Sequence, residues 1–425
     1  MGILDGMRSI RLREANRRCI LLLAMLVFAQ SAVGQENWPR FRGENGVGVS
    51  DQKGFPVTWS NDDYAWNIEV PGKGHSSPVI WRNRLFLTTA TKSGGQSARQ
   101  LLCIDPATGK TIWKKQIGLD SSHLHRKNSW ASGTPATDGS LVFVVFADEE
   151  KHVLAAYDFD GNETWREDLG SFTSQHGQGA SPIVYEDLVI LPSDQMGPSQ
   201  IVAFRKKTGK VAWRSKRDKF RKTSYATPML LAGKNQVQLI CVSGASGVSS
   251  LNPGTGNVNW KSDPFPMRTV ASPILAGGMI FASCGQGGQG TLMFGVNPKL
   301  GAGSEDRVKI RRTARLSYVP TPVAFEDKLF LWTDRGIVVC LDPGSGEEMW
   351  KGRVGGTFSG SPVCIDGRLY CLSEAGEVVV VDAGAKFKLL GKTSLGDPSY
   401  ATPAVANGRL FLRTFSRLMC IKSEQ

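Results

Sequence analysis

A Ser/Thr-Pro dipeptide followed by a short apolar run occurs eight times in this chain. The copies are Ser77-Pro78, Thr134-Pro135, Ser181-Pro182, Thr227-Pro228, Ser272-Pro273, Thr321-Pro322, Ser361-Pro362 and Thr402-Pro403. They lie 57, 47, 46, 45, 49, 40 and 41 residues apart. Repetition at this period implies small supersecondary units that bury their apolar faces only against one another. Each apolar run soon meets a turn, as in Thr137-Asp138-Gly139, Ile365-Asp366-Gly367 and Ala406-Asn407-Gly408. Asp-Gly and Asn-Gly favour tight hairpin turns. A second strand follows each turn, for example Leu141-Val142-Phe143 or Leu410-Phe411-Leu412. The pattern is that of a β-meander, with almost no helical periodicity.

The later part of each unit carries a sharper signature. Cys103-Ile104-Asp105 runs through Thr108-Gly109 to Trp113, and the pattern returns at Trp213, Trp260 and Trp350, with a shorter copy at Trp165. Two residues before the Asp/Asn position stand Cys103, Ala156, Ala203, Ser250, Gly295, Cys340, Val380 and Cys420. Small groups there indicate a crowded contact between sheets. Three cysteines thus sit where the repeat needs a small apolar group, so free, structural cysteine is expected. Asp105, Asp158, Asp342 and Asp382 share one repeat position and read as turn residues. The fifth unit has an insertion, Lys299 to Arg307, with Ile310 or a neighbour in place of the Trp; the seventh has Leu390 there. Those two contacts should be weaker.

The eighth unit ends at Cys420-Ile421-Lys422 without a fourth strand or a Trp. Tyr64 to Val70, which contains Trp66, reads as the missing strand. The expected fold is all-β: a single eight-bladed β-propeller of four-stranded antiparallel blades. A strand at about 63–70 would complete the blade formed by 401–425 and remove the open seam of the ring.

Residues 1–34 are expected to lie outside that fold. Five arginines between Arg8 and Arg18 precede an apolar core from Ile20 to Ala29, and Ala32-Val33-Gly34 offers small residues for cleavage before Gln35. This is the layout of a secretory signal, and an apolar stretch of this size is too short to span a bilayer. An exported, periplasmic or extracellular location follows as an expectation. Net charge is +13 for the whole chain. Ten Lys/Arg against one acid crowd the stretch from Arg205 to Lys222, and five more lie between Arg307 and Arg315. Such runs fit a solvated face, an anionic polymer or a membrane surface. With export and no recognition helix, nucleic acid is not an expected partner.

Small residue, Asp, Thr-Gly and Trp in this order resemble the docking pattern of the quinoprotein-type (pyrroloquinoline-quinone-like) propeller repeat, across essentially the whole chain beyond residue 34. Trp38-Pro39-Arg40-Phe41-Arg42-Gly43 is also similar to the start of exported propellers found in planctomycete bacteria. The resemblance implies one of two functions. Some members are dehydrogenases with pyrroloquinoline quinone and calcium; others, such as BamB-like scaffolds, carry no cofactor. This chain has no adjacent Cys-Cys pair, no metal-ligand spacing and no nucleophile–base motif. The expectation is therefore a non-enzymatic, monomeric scaffold without cofactor or metal, binding a protein or an anionic envelope polymer. A quinone-dependent dehydrogenase with a degenerate site, and a glycan-binding propeller, are the alternatives.

In a propeller the segments entering the innermost strands converge around the central channel. Here they supply His75, Ser76, His125, Lys127, Asn128, His176, Gln178, Tyr225, Arg268, Tyr318 and Tyr400 as candidate ligand-binding residues, with His123 beside His125. Polar and aromatic groups at a concave mouth are the default binding-site hypothesis. Trp66, Trp113, Trp165, Trp213, Trp260 and Trp350 are expected to be structural.

Overall fold

The computed structural model describes residues 36–93, 96–120, 124–233 and 236–424. The signal-like segment and His123 lie outside the described residues.

Eight antiparallel sheets form a β-propeller. In blade 1, Val79–Trp81 is innermost, followed outward by Arg84–Ser93, Gln96–Ile104 and Thr111–Leu119. Blades 2 to 7 repeat this inner-to-outer order. Blade 8 is built from Ala404–Ala406, Arg409–Arg413 and Arg417–Lys422, and its outer strand is Tyr64–Glu69 from the other end of the chain. Trp66 pairs with Cys420 there, so the ring closes by the exchange the repeat implied.

The register explains the small residues of the repeat. Cys103 pairs with Trp113, Ala156 with Trp165, Ala203 with Trp213, Ser250 with Trp260 and Cys340 with Trp350. A small side chain opposite each indole lets the ring lie over the next blade. The Trp66 indole N–H then donates to the Pro106 carbonyl at 3.1 Å, and Trp113, Trp165, Trp213 and Trp350 make the equivalent bond to Phe159, Lys206, Pro253 and Gly384. Each of those carbonyls belongs to the turn at the end of the next blade's third strand. The turn glycine must be bare: a Cβ on Gly109 would sit 2.9 Å from the Trp66 ring, and φ there is +74°. Asp105, Asp158 and Asp342 accept amide N–H bonds inside these turns. All seven described cysteines are buried and free.

Two junctions depart from the expected pattern. Trp260 donates to Gln238 of its own blade, because the inserted turn of blade 5 places Arg307 over its ring at 4.3 Å. In blade 7 the residue paired with Val380 is Gly391, while Leu390 falls at the bulge. The space an indole would occupy is taken by the N-terminal segment: a Cβ on Gly391 would lie 2.2 Å from the Val57 carbonyl oxygen. Ile310 does stand in for the Trp, opposite Gly295 and against Gly346.

The Ser/Thr-Pro positions do more than start strands. The Ser77 amide donates to the Thr134 hydroxyl, Thr134 to Ser181, Thr227 to Ser272, Ser272 to Thr321, Thr321 to Ser361, Ser361 to Thr402, and Thr402 back to Ser77, at 2.9–3.3 Å. These seven hydroxyl–amide bonds stitch blade to blade around the channel at every junction but that of blades 3 and 4, Ser181 to Thr227.

Residues 36–59 close the channel's far side. Asn37–Trp38 adds an antiparallel strand inside blade 1, and Val49–Ser50 adds a parallel one inside blade 7. Between them the Pro39 carbonyl accepts the Thr137 amide of blade 2, Arg40 donates to Pro228 and Arg42 to Pro362. The Asn45 side-chain amide pairs with both backbone groups of Leu230, at 2.7 and 2.8 Å. Trp38 and Arg42 are fully buried.

Candidate functional site

The channel mouth opens into a cavity of about 460 Å³. Its wall includes the hydroxyl-bearing residue of all eight Ser/Thr-Pro positions, and Phe41 of the N-terminal segment lines it as well. Of the candidate residues, His75, His125, Lys127, Asn128, His176, Tyr225, Arg268, Tyr318 and Tyr400 line the cavity. Ser76 and Gln178 do not. Ser76 is fully buried, its hydroxyl bonding the Thr88 backbone and accepting from Arg413, and the Gln178 side chain donates to the Ala180 carbonyl. Both serve the wall's internal bonding, which the position of a residue before a strand cannot disclose.

Most of the mouth's polar groups hold the mouth itself. Asn128 donates to the His176 and Gln178 carbonyls at 2.6 and 3.1 Å, bridging two loops. The Tyr225 hydroxyl meets Ser174 at 2.9 Å, and Arg268 reaches Gln175 at 2.7 Å. Lys127 pairs with Glu374 of blade 7 at 2.8 Å. The His125 and His176 rings lie 4.1 Å apart between centroids, and His75 packs against Tyr400 and Phe415. Burial, with the Arg413 guanidinium next in weight, drives the His75 pKa down to about 3, so its imidazole is neutral near pH 7. Burial also raises the hydroxyl pKa of Tyr225, Tyr318 and Tyr400.

The sequence reading missed Asp334. It lines the cavity at 3% exposure, and its carboxylate accepts the backbone N–H groups of Tyr318 and Val319 at 2.8 and 3.2 Å. Burial raises it to about 6 despite those amides. Arg126 and Arg335, also missed, are exposed at the cavity edge. The lining carries Arg126, Lys127, Arg268 and Arg335 against Asp334 as its acid, so the mouth is cationic. A signal existed for Asp334 and Arg335: Thr333-Asp334-Arg335-Gly336 forms the second-to-third-strand turn of blade 6, on the mouth side, whereas attention to the strand-entry segments alone passes over such turns.

Residues 97–299 and 304–386 match the sequence profile of the family described as outer membrane protein assembly factor BamB. The chain belongs to this family. An outer membrane protein assembly factor BamB from Yersinia pestis is 22% identical over 311 residues, covering 72% of this chain. The match spans 65% of that curated relative's length. Among solved structures, BamB from Moraxella catarrhalis superposes with a TM-score of 0.61 at 16% identity, covering 84% of this chain and 99% of that one. A europium-containing methanol dehydrogenase gives 0.67 at 11% identity, covering 90% of each chain. Quinohemoprotein alcohol dehydrogenase from Comamonas testosteroni gives 0.67 at 13%, covering 91% and 80%. At such identities the likeness concerns the fold, which this BamB-family chain shares with dehydrogenases as well as with an assembly factor.

The quinone-plus-calcium pair of the dehydrogenase members can be tested against the donor set. Calcium takes six to eight oxygen ligands, several from carboxylates. Here the Asp334 oxygens are held by two amides, and Glu374 is bonded by Lys127, Thr357 and Ser359. No group of three His, Cys, Asp or Glu residues among the described residues is placed to share a metal. These residues do not offer the set of free carboxylates that calcium takes.

Proposed function

We propose that the protein is an exported, non-catalytic propeller that acts as a binding scaffold in the cell envelope. On this reading it holds a protein or anionic polymer at its cationic mouth and at the basic outer edge of blade 3. Membership of the BamB family supports a scaffold role. The observation that carries the reading is that the mouth's carboxylates are spent on amides and lysine while exposed cations remain. At blade 3, Asp187 and Asp194 of the same blade take up Arg205 and Arg217, and Asp138 of blade 2 takes up Lys206. Lys207, Lys210, Arg214, Lys216, Lys219 and Arg221 stay exposed and form no ion pair with a described residue. The same cations discourage edge-to-edge pairing of the outer strand.

Three measurements test the reading. Purified protein incubated with pyrroloquinoline quinone and Ca²⁺ should give no alcohol- or sugar-dependent dye reduction; stoichiometric cofactor with turnover would overturn the scaffold. A photo-crosslinker at Lys216 should capture an envelope component in cells. Residues 1–34 fused to alkaline phosphatase should yield activity outside the cytoplasm, and inactive enzyme would remove export.

A further inference from the structure

Beside the mouth lies a second cavity of about 530 Å³, off the propeller axis. It runs between the long hairpin of blade 1 and the segment from Leu124 to Trp130. His75, His125, Arg126 and Asn128 line both cavities, so the two form one trough leading from the channel out across blade 1.

The chemistry of this side arm is one-sided. Its lining contains Lys73, Lys92 and Arg126, all exposed, and no Asp or Glu. None of the three forms an ion pair with a described residue. Four of the ten other lining residues carry rings: Trp130, Phe415, His75 and His125. Lys92 stands over the Trp130 ring at 5.8 Å and buried Arg99 at 5.1 Å, which fixes the indole as a rigid face. Flat faces flanked by unpaired cations recognise an anionic ligand whose body offers C–H surface for stacking.

Two kinds of chain have that character, an acidic peptide and an acidic polysaccharide, and the backbone decides between them. An extended peptide is captured mainly through main-chain hydrogen bonds to a free strand edge. In this arm Lys73 and Ala90 already exchange both of theirs, at 2.8 and 2.9 Å, and the His75 and Ser76 amides donate to the Ala131 carbonyl at 3.1 Å. What the wall still offers is rings and cations.

We infer that the trough is a binding site for an acidic polysaccharide, with sugar faces stacked on Trp130 and Phe415 and carboxylates paired with Lys73, Lys92 and Arg126. This names a polymer class for the scaffold reading and rests on it only for the presence of such a polymer outside the cytoplasm.

The test uses the purified protein and a fluorescein-labelled polygalacturonate hexamer, followed by fluorescence anisotropy at low salt. Binding is expected, with weakening as ionic strength rises. The triple variant K73Q/R126Q/K92Q, altered only at exposed side chains, should lose about tenfold or more in affinity with an unchanged unfolding transition. W130F, which retains an aromatic face, should lose less than W130A. The variant K386Q/K388Q, at the exposed outer turn of blade 7, should bind like wild type. Neutral maltohexaose should fail to compete, and a hexaglutamate peptide should compete far less well than unlabelled hexamer. Equal competition by hexaglutamate, equal loss in the blade 7 variant, or absence of binding would each overturn the inference. None of these outcomes bears on cofactor turnover, which tests the scaffold separately.

Discussion

The hydroxyl–amide bonds predict a measurable energy at seven of the eight blade junctions, and Thr321 isolates it. Its Oγ1 accepts the Ser272 amide at 3.0 Å, and both residues are buried. Thr321→Val keeps the shape and removes the acceptor, leaving a buried N–H unpaired without opening a cavity. An orphaned buried donor costs about 1–3 kcal/mol, against roughly 0.5–1.5 for a bond whose partners both return to water. Thr134, which accepts from Ser77 at 3.0 Å, stands at a junction sharing no partner with this one. T134V/T321V should therefore cost the sum of the two single changes to within about 0.5 kcal/mol. Equilibrium urea unfolding reads the totals, and hydrogen exchange should show the Ser272 amide losing protection selectively in T321V. Thr321→Ser, which retains the hydroxyl, should lose less. If T321V unfolds like wild type and Ser272 stays protected, these bonds are a by-product of strand packing and the argument fails.

Three further outcomes follow from buried groups elsewhere. Trp66→Ala should cost about 3–5 kcal/mol, with Arg409–Arg413 and Arg417–Lys422 losing exchange protection before any other blade; uniform loss would refute closure through Trp66. Arg217 and Asp194 form a buried pair at 3.2 Å, so Arg217→Met alone should destabilise by about 3–5 kcal/mol while R217M/D194L recovers most of it; a double variant worse than the single would refute this. Asp334, raised to about 6, holds its proton in the folded state where the unfolded chain has lost it, so it subtracts stability as pH rises from about 4 through 6. The displacement from 3.8 corresponds to roughly 3 kcal/mol. Asp334→Asn should abolish that decline in urea unfolding followed against pH. His75 acts oppositely: lowered to about 3, it leaves the unfolded chain binding more protons, so stability is lost as pH falls from about 6.5 through 3, and His75→Gln should flatten that loss.

The legible and illegible parts of this fold differ in one physical respect. What recurs is written in the sequence, because every blade must solve the same packing problem: a Trp needs a small cross-strand partner and a bare glycine beneath it. Hence Cys420 opposite Trp66 could be expected from residues more than 300 positions apart. The same regularity left the Ser/Thr hydroxyls looking like mere strand starts, since their partners are the same residues one blade on and only a closed ring puts them within 3.3 Å. What happens once is harder to read. Trp38 to Ser50 has no copy to align with, and its contacts with blades 1, 2, 4 and 7 exist only after the ring forms. Blade 7 shows the cost of ignoring it: Leu390 looked like a weak substitute for a Trp, yet the gap is filled by Val57 and Thr58, and the residue beneath them had to be Gly391. The candidate site behaves likewise. Strand-entry segments brought nine of the proposed residues to the cavity wall, because topology alone fixes them. Asp334, Arg335 and the acid-free arm beyond His75 depend on which turns lean over the mouth, and those belong to single blades. Function in a repeat protein is thus best sought where the repeat is broken, at the N-terminal plug and along blade 1.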